Sequence, residues 1–223
     1  MKRHVPLFKL ESEKELIKSS EIEYSLSKFG NGFFISDDGL IATLAHVLKD
    51  DDTTCNYALV DHYFYKIDIL ESNLTEEDGN FVDAALCKIA IRNSEYFDPI
   101  SFARVKVDSS LVIKGYSRIL KPVDNKNQSN FFGNNFFEIK AECLDLIYGV
   151  NMKNFFTVRY STSQGDLNGM SGSPVINEDN MVVGVLKGGK GFVGINNGRY
   201  QFGQVLHIKT ITDMFIHCFG NTL

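Results

Sequence analysis

Short apolar runs broken by polar turns dominate the chain from residue 22 onward. Ile22, Tyr24 and Leu26 alternate with polar neighbours, the two-residue period of a strand. Gly30-Asn31-Gly32 leads into Phe33-Phe34-Ile35, then into the turn Ser36-Asp37-Asp38-Gly39 and the run Leu40-Ile41-Ala42-Thr43. That order predicts a hairpin closed at Asp-Gly. Strand-like runs follow at 57–60 and 62–70, then an acidic loop from Glu71 to Asn80, then Phe81 to Ile89. Near the end, Ile211, Met214, Phe215 and Cys218 recur at helical spacing. Residues 10–20 differ from all of this: they are mostly charged, with Leu16 and Ile17 as the strong apolar anchors, and read as a surface helix or a loose arm.

Composition agrees with a folded, strand-rich chain. Among 223 residues, 43% are hydrophobic and 23% charged, with 18 Phe, 9 Tyr and no Trp. That balance excludes a disordered chain and favours β structure. The net charge of −5 comes with scattered Lys and Arg, so no nucleic-acid groove is expected. No apolar run reaches the roughly 18 residues of a membrane span, and the first 30 residues lack a signal-peptide pattern. Cys55, Cys87, Cys143 and Cys218 form no CxxC pair, which argues against a metal site or a disulfide framework. Burial as small apolar residues in a reducing compartment is expected, with the cytoplasm as the location.

Three elements carry candidate chemistry. In Gly169-Met170-Ser171-Gly172-Ser173-Pro174, glycines flank a serine on a tight turn just ahead of the run Val175-Ile176. They remove Cβ atoms where a substrate carbonyl must approach. The N–H groups of Gly169 and Ser171 can converge there on a developing oxyanion. Alone, the stretch is equally an ordinary Gly/Ser turn. His46, in Thr43-Leu44-Ala45-His46-Val47, has the side chain best suited to move a proton near neutral pH. A lone histidine after a strand is more often a satisfied polar group at a core margin. Asp83 precedes Ala84-Ala85-Leu86-Cys87-Lys88-Ile89 and can be buried there as an acceptor, although an aspartate so placed is commonly a turn or cap residue. The chain order His46, Asp83, Ser171 is what joins them, since one of the known orders of a Ser-His-Asp site is His, Asp, Ser.

With these segments, and with Asp98-Pro99-Ile100-Ser101-Phe102-Ala103, Ile113-Lys114-Gly115-Tyr116 and Met181 to Gly189, the sequence resembles the chymotrypsin-like serine peptidases. Within them it is most similar to the V8/glutamyl-endopeptidase and HtrA-like bacterial branches, from about residue 30 to the C-terminus. The resemblance implies an all-β fold of two antiparallel six-stranded β-barrels with a C-terminal helix. Residues 1–20 would be an N-terminal arm, 21–100 a barrel carrying His46 and Asp83, and 101–223 a barrel carrying Ser171. The crossing would fall near residues 93–110. In the second barrel the polar run 124–130 would separate strands near 111–121 and 136–148, and a strand near 155–161 would lead into the serine loop. His207 and His217 are expected to be structural.

The function so implied is hydrolysis of peptide bonds through an acyl-enzyme, with His46, Asp83 and Ser171 as the triad and Gly169 and Ser171 as the oxyanion hole. No cofactor or metal is called for. Gly165, Asp166, Leu186, Lys187, Gly188 and Gly189 would line the substrate site, residues 186–189 as an edge that pairs with an extended peptide. Glutamyl endopeptidases place a His and a Thr where this chain has Leu186 and Asp166, and an acidic Asp166 would repel a Glu substrate. Gly165 stands where trypsin-type enzymes carry their pocket aspartate. Asp166 beside it would favour Lys or Arg, or pair with Lys187. Met170 replaces the aspartate used in vertebrate-type zymogen activation, so cleavage of that kind is not expected, while activation by a partner protein or by loop ordering stays open. The rival readings are a catalytically latent protease-fold module serving a partner, and an esterase-like hydrolase using the same three residues.

Overall fold

The structure is a computed structural model, and it describes residues 3–10, 26–48, 55–61, 63–77, 80–117, 136–144, 154–161, 167, 169–190 and 200–220. The first sheet comprises β1 (His4–Leu10), β2 (Leu26–Phe34), β3 (Leu40–Thr43), β4 (Cys55–Val60), β5 (Tyr63–Lys66), β6 (Asp68–Glu77) and β7 (Asn80–Lys88). Its spatial order is β5-β4-β1-β2-β3-β7-β6. The second comprises β8 (Ser110–Tyr116), β9 (Phe136–Cys143), β10 (Phe155–Ser161), β11 (Pro174–Asn177), β12 (Val182–Lys190) and β13 (Tyr200–His207), closed into a barrel in the order β10-β13-β12-β11-β8-β9. Helix α1 (Ile208–Phe219) follows β13 directly.

The predicted hairpin forms as expected. Phe33 pairs with Ala42 and Phe34 with Ile41, while Gly39 closes the turn at φ +88, a conformation only glycine adopts cheaply. All four residues of β3 are buried, because β2 and β7 flank it and both its faces are covered. In β8 and β10, buried and half-buried positions alternate, which directs Leu111, Ile113, Val158 and Tyr160 into the second core.

Two features differ from the sequence reading. Residues 4–10, expected within an N-terminal arm, form β1, which inserts between β2 and β4 and raises the first sheet to seven strands. Val5, Leu7 and Phe8 are buried there, so this segment contributes core rather than a tether. The arm expected over residues 11–20 lies outside the described residues, as do the strand positions 22–25 and the polar run 124–130. The acidic stretch Glu71 to Glu77 is not a loop but most of β6, paired along β7 from Asp68↔Lys88 to Glu77↔Asn80. β6 is an edge strand, so its polar residues can face water while apolar β7 supplies the burial.

The larger core cluster joins both halves. It runs from Phe33, Phe34, Ile41 and Leu86 through Phe155, Ile176, Val185 and Leu206 to Ile208, Ile211 and Met214 of α1. Burying each of those three helix side chains contributes about 2 kcal/mol. The helix therefore ties the first sheet to β12 and β13. Ile211 and Met214 follow the predicted stripe, but Cys218 is exposed, one turn past the point where the helix leaves the core.

Candidate active site

β3 ends at Thr43, and the chain turns through Leu44 into one turn of tight helix, Ala45–Val47. Ala45 and Val47 are buried and anchor that turn, which leaves His46 between them with 30% of its side chain exposed. Asp83 sits within β7, not ahead of it, and is fully buried. Strand β3 lies against β7 in the register Thr43↔Ala85, so the histidine turn runs past Asp83. Two bonds fix the pair. His46 Nδ1 is 2.6 Å from Asp83 Oδ2, and the His46 backbone N–H donates to Oδ1 at 3.0 Å. A carboxylate on Nδ1 holds the hydrogen on that nitrogen, and Nε2 is then the basic one.

Ser171 lies in a loop whose backbone can be formed only by glycine at two points. Gly169 has φ +78 and Gly172 φ +87. A Cβ on Gly172 would overlap the Asn31 carbonyl oxygen and stand 2.6 Å from Thr43 Oγ1. Around the serine, Met170 N–H donates to Leu167 O at 3.0 Å, Gly172 N–H to Leu186 O at 2.8 Å, and Ser173 N–H to Met170 O at 3.0 Å. Among the described residues, the N–H groups of Gly169 and Ser171 have no acceptor. Those are the two amides expected to receive an oxyanion. The Ser171 hydroxyl donates to the Lys187 carbonyl oxygen at 2.8 Å.

Asn31 holds the halves of the site together, and the sequence reading gave it no role. Its amide N–H donates to Ser171 O at 2.7 Å. Its side-chain Nδ2 donates to Gly169 O at 2.8 Å and to Tyr116 O at 2.9 Å, and Oδ1 accepts from Tyr116 N–H at 2.8 Å. Its carbonyl accepts from Thr43 Oγ1 at 2.6 Å. One buried residue of β2 thus grips β8 and the serine loop, and touches the end of β3 from which His46 follows. Neighbouring Gly30 packs so closely that a Cβ there would lie 2.5 Å from Val47 Cγ1 and 3.2 Å from Ser171 O. The signal was visible in part: Gly30-Asn31-Gly32 marks a place of close backbone approach.

The residues expected to line the substrate site divide. Gly165 and Asp166 lie outside the described residues, and so does the suggested Asp166–Lys187 pair. Leu186 does not face the cleft. It is fully buried in the second core, because its position in β12 points inward against Gly203. Lys187 instead carries its ammonium 3.6 Å from the centroid of the Phe81 ring and 5.1 Å from that of Phe155, a cation over two aromatic faces. Gly188 has φ +148, and a Cβ there would stand 3.7 Å from Ser171 Oγ. Gly188 and Gly189 pair with Gln204 and Gly203 of β13 on one side. Among the described residues no strand occupies the other side beyond Leu186. His207, expected to be structural, closes β13 beside the Phe156 ring, and burial lowers its pKa below the usual imidazole value.

A seven-stranded curled sheet and a closed six-stranded barrel, with a histidine–carboxylate pair on the first and a glycine-flanked serine on the second, define a chymotrypsin-like fold. The family model for the trypsin-like peptidase domain matches residues 30–185, and the chain belongs to that family. Comparison with curated proteins gave no match. Among solved structures, the active form of the Rv3671c protease from Mycobacterium tuberculosis superposes with a TM-score of 0.62 at 19% identity, covering 99% of this chain and 82% of that one. An inactive form of the same protease, a serine-to-alanine mutant, gives a TM-score of 0.61 at 19% identity over 99% and 88%. The MamO protease domain from Magnetospirillum magneticum, in its apo form, gives 0.55 at 10% identity, covering 94% of each chain. At these identities the structures establish shared fold.

Proposed function

We propose that this chain is a serine endopeptidase in which Ser171 is the nucleophile, His46 the general base and then acid, and Asp83 the group that orients the histidine. The observation that carries this reading is the two-point contact of His46 with buried Asp83, together with a serine loop in which, among the described residues, the N–H groups of Gly169 and Ser171 have no acceptor. Ser171 Oγ adds to the scissile carbonyl while its proton passes to His46 Nε2. The carbonyl oxygen becomes an oxyanion held by the N–H groups of Gly169 and Ser171. His46 returns the proton to the leaving amine, and water repeats the sequence on the acyl-enzyme. Asp83 balances the imidazolium without accepting its proton. An extended peptide would lie along the open side of Lys187 to Gly189, one backbone next to another. The Lys187 ammonium gives no support to a pocket for basic side chains and adds none to the V8-type carboxylate pocket, whose His position is held by buried Leu186.

One observation favours a second reading, a module that is latent until a partner engages it. The single hydroxyl proton of Ser171 is committed to the Lys187 carbonyl, and attack requires that bond to break. A substrate or partner strand pairing along β12 would compete for that carbonyl and release the serine. The readings separate when a mixture of peptides differing at the cleaved bond, and in parallel simple esters, are incubated with the wild type and with Ser171→Ala. Cleavage by the wild type alone supports the peptidase. Turnover of simple esters without peptide cleavage supports an esterase, and neither activity supports the latent module.

A further inference from the structure

Outside the cleft, α1 and the edge strand β6 bring together three side chains that no step of the proposed chemistry uses. Cys218 Sγ donates to Glu71 Oε2 at 2.6 Å, and His217 Nδ1 lies 3.3 Å from the same oxygen. A thiol sulfur, an imidazole nitrogen and a carboxylate oxygen therefore all lie within 4.8 Å of one another. We infer that Glu71, His217 and Cys218 form a surface site for a zinc-like divalent ion, bound through Sγ, Nδ1 and a Glu71 carboxylate oxygen.

The donor set and its spacing carry the inference. Zinc takes sulfur at about 2.3 Å and nitrogen or oxygen at about 2.0–2.2 Å, so the ligand atoms around a tetrahedral ion stand about 3.3–3.8 Å apart. The present spacings bracket that range, and small side-chain rotations close the difference. A mixed S, N, O set selects zinc, cobalt or similar ions over calcium and magnesium, which favour all-oxygen shells. Three protein ligands leave a fourth position for water or an exogenous group. With no metal, the Cys218 thiol keeps its proton on a hydrogen bond to Glu71. An arriving cation takes the place of that one proton, which leaves to solvent, and the ion then bonds to thiolate, neutral imidazole and carboxylate.

The consequence is structural. The ligands come from the last turn of α1 and from β6, far apart in sequence, so the ion would staple the end of the helix to the edge of the first sheet. Sequence spacing could not reveal this. The adjacent His217-Cys218 pair lacks the CxxC or HxxxH pattern of local metal motifs, and its third member lies in a stretch that reads as an acidic loop.

The test uses the full chain carrying Ser171→Ala, so that neither autolysis nor the peptidase reading affects the outcome. Titration with Co²⁺ should give one equivalent of binding with a sulfur-to-cobalt charge-transfer band, displaced by Zn²⁺. Zn²⁺ should raise the thermal midpoint. Adding Cys218→Ser should abolish the band, and Glu71→Gln or His217→Ala should each weaken binding by more than the 10–100-fold typical of outer partners. All three positions are at or near the surface, and the circular dichroism of each variant without metal reports its folding. Absence of the band in the folded parent, or a band that persists in Cys218→Ser, overturns the proposal.

Discussion

Replacing Asn31 with alanine is the sharpest test of how the two halves of the site are held. The change deletes three hydrogen bonds of the side chain, to Gly169 O, Tyr116 O and Tyr116 N–H, and strips that partner from two buried groups and one half-buried group. Each such group costs about 1–3 kcal/mol. The three share one partner and do not add fully, so a loss of at least about 3 kcal/mol is expected. That is a large part of the roughly 5–15 kcal/mol available to a domain. The same change frees the carbonyl of Gly169, a residue whose own N–H is one of the two proposed oxyanion donors, and misplacing one donor typically costs about 10²–10³ in rate. Denaturant unfolding measures the first effect, and the rate of acylation by a small phosphonate ester, taken well below the unfolding transition, measures the second. Asn31→Asp separates them further: it keeps the acceptor for Tyr116 N–H but sets a charge against two carbonyl oxygens, and should be no more stable than the alanine variant. An Asn31→Ala protein within about 1 kcal/mol of wild type and acylated at the wild-type rate would refute the reasoning.

Gly188→Val should lower peptide turnover by about tenfold or more, since its side chain would grow from a Cβ 3.7 Å from Ser171 Oγ, and the positive φ adds about 1–3 kcal/mol of strain. Steady-state kinetics with a folded variant checks this, and unchanged turnover would place substrate elsewhere. His207 carries a lowered pKa because burial penalises its charged form. The unfolded chain therefore binds the extra proton first, and folding stability should decline as pH falls below 6.5 until the folded-state value is passed. Urea midpoints across that range, compared with those of His207→Gln, should show the decline reduced in the variant.

The turns and neighbouring strands of the candidate site are easier to read from the chain than its long-range contacts. Ser171 sits between glycines because the turn demands positive φ at Gly169 and Gly172, and residue type announces that directly. Asp83 and His46 meet because adjacent strands carry them, which local apolar patterning suggested through the runs at 40–43 and 84–89. Partners distant in sequence stayed hidden. Nothing local tells Asn31 that Tyr116 and Gly169 will be its acceptors, or Glu71 that α1 will end beside it. Pattern also failed where an element's character comes from its neighbour. His4–Leu10 carries a proline and basic residues that blur its pattern, and pairing with β2 and β4 on its two sides makes it a strand. β6 looks like a loop because, as an edge strand, it needs apolar residues at few positions. Its place in a motif makes Leu186 look cleft-lining, whereas the pleat of β12 turns it into the core, and it is the backbone carbonyl of the next residue, Lys187, that meets Ser171.

The proposed activation of Ser171 is tested most directly by reacting the intact protein with a fluorophosphonate and reading the mass. An activated serine with a formed oxyanion site gives one adduct per chain, mapped to the peptide containing Ser171, and none in Ser171→Ala. No adduct on folded wild type, or equal labelling of the mutant, would contradict an activated serine at this position.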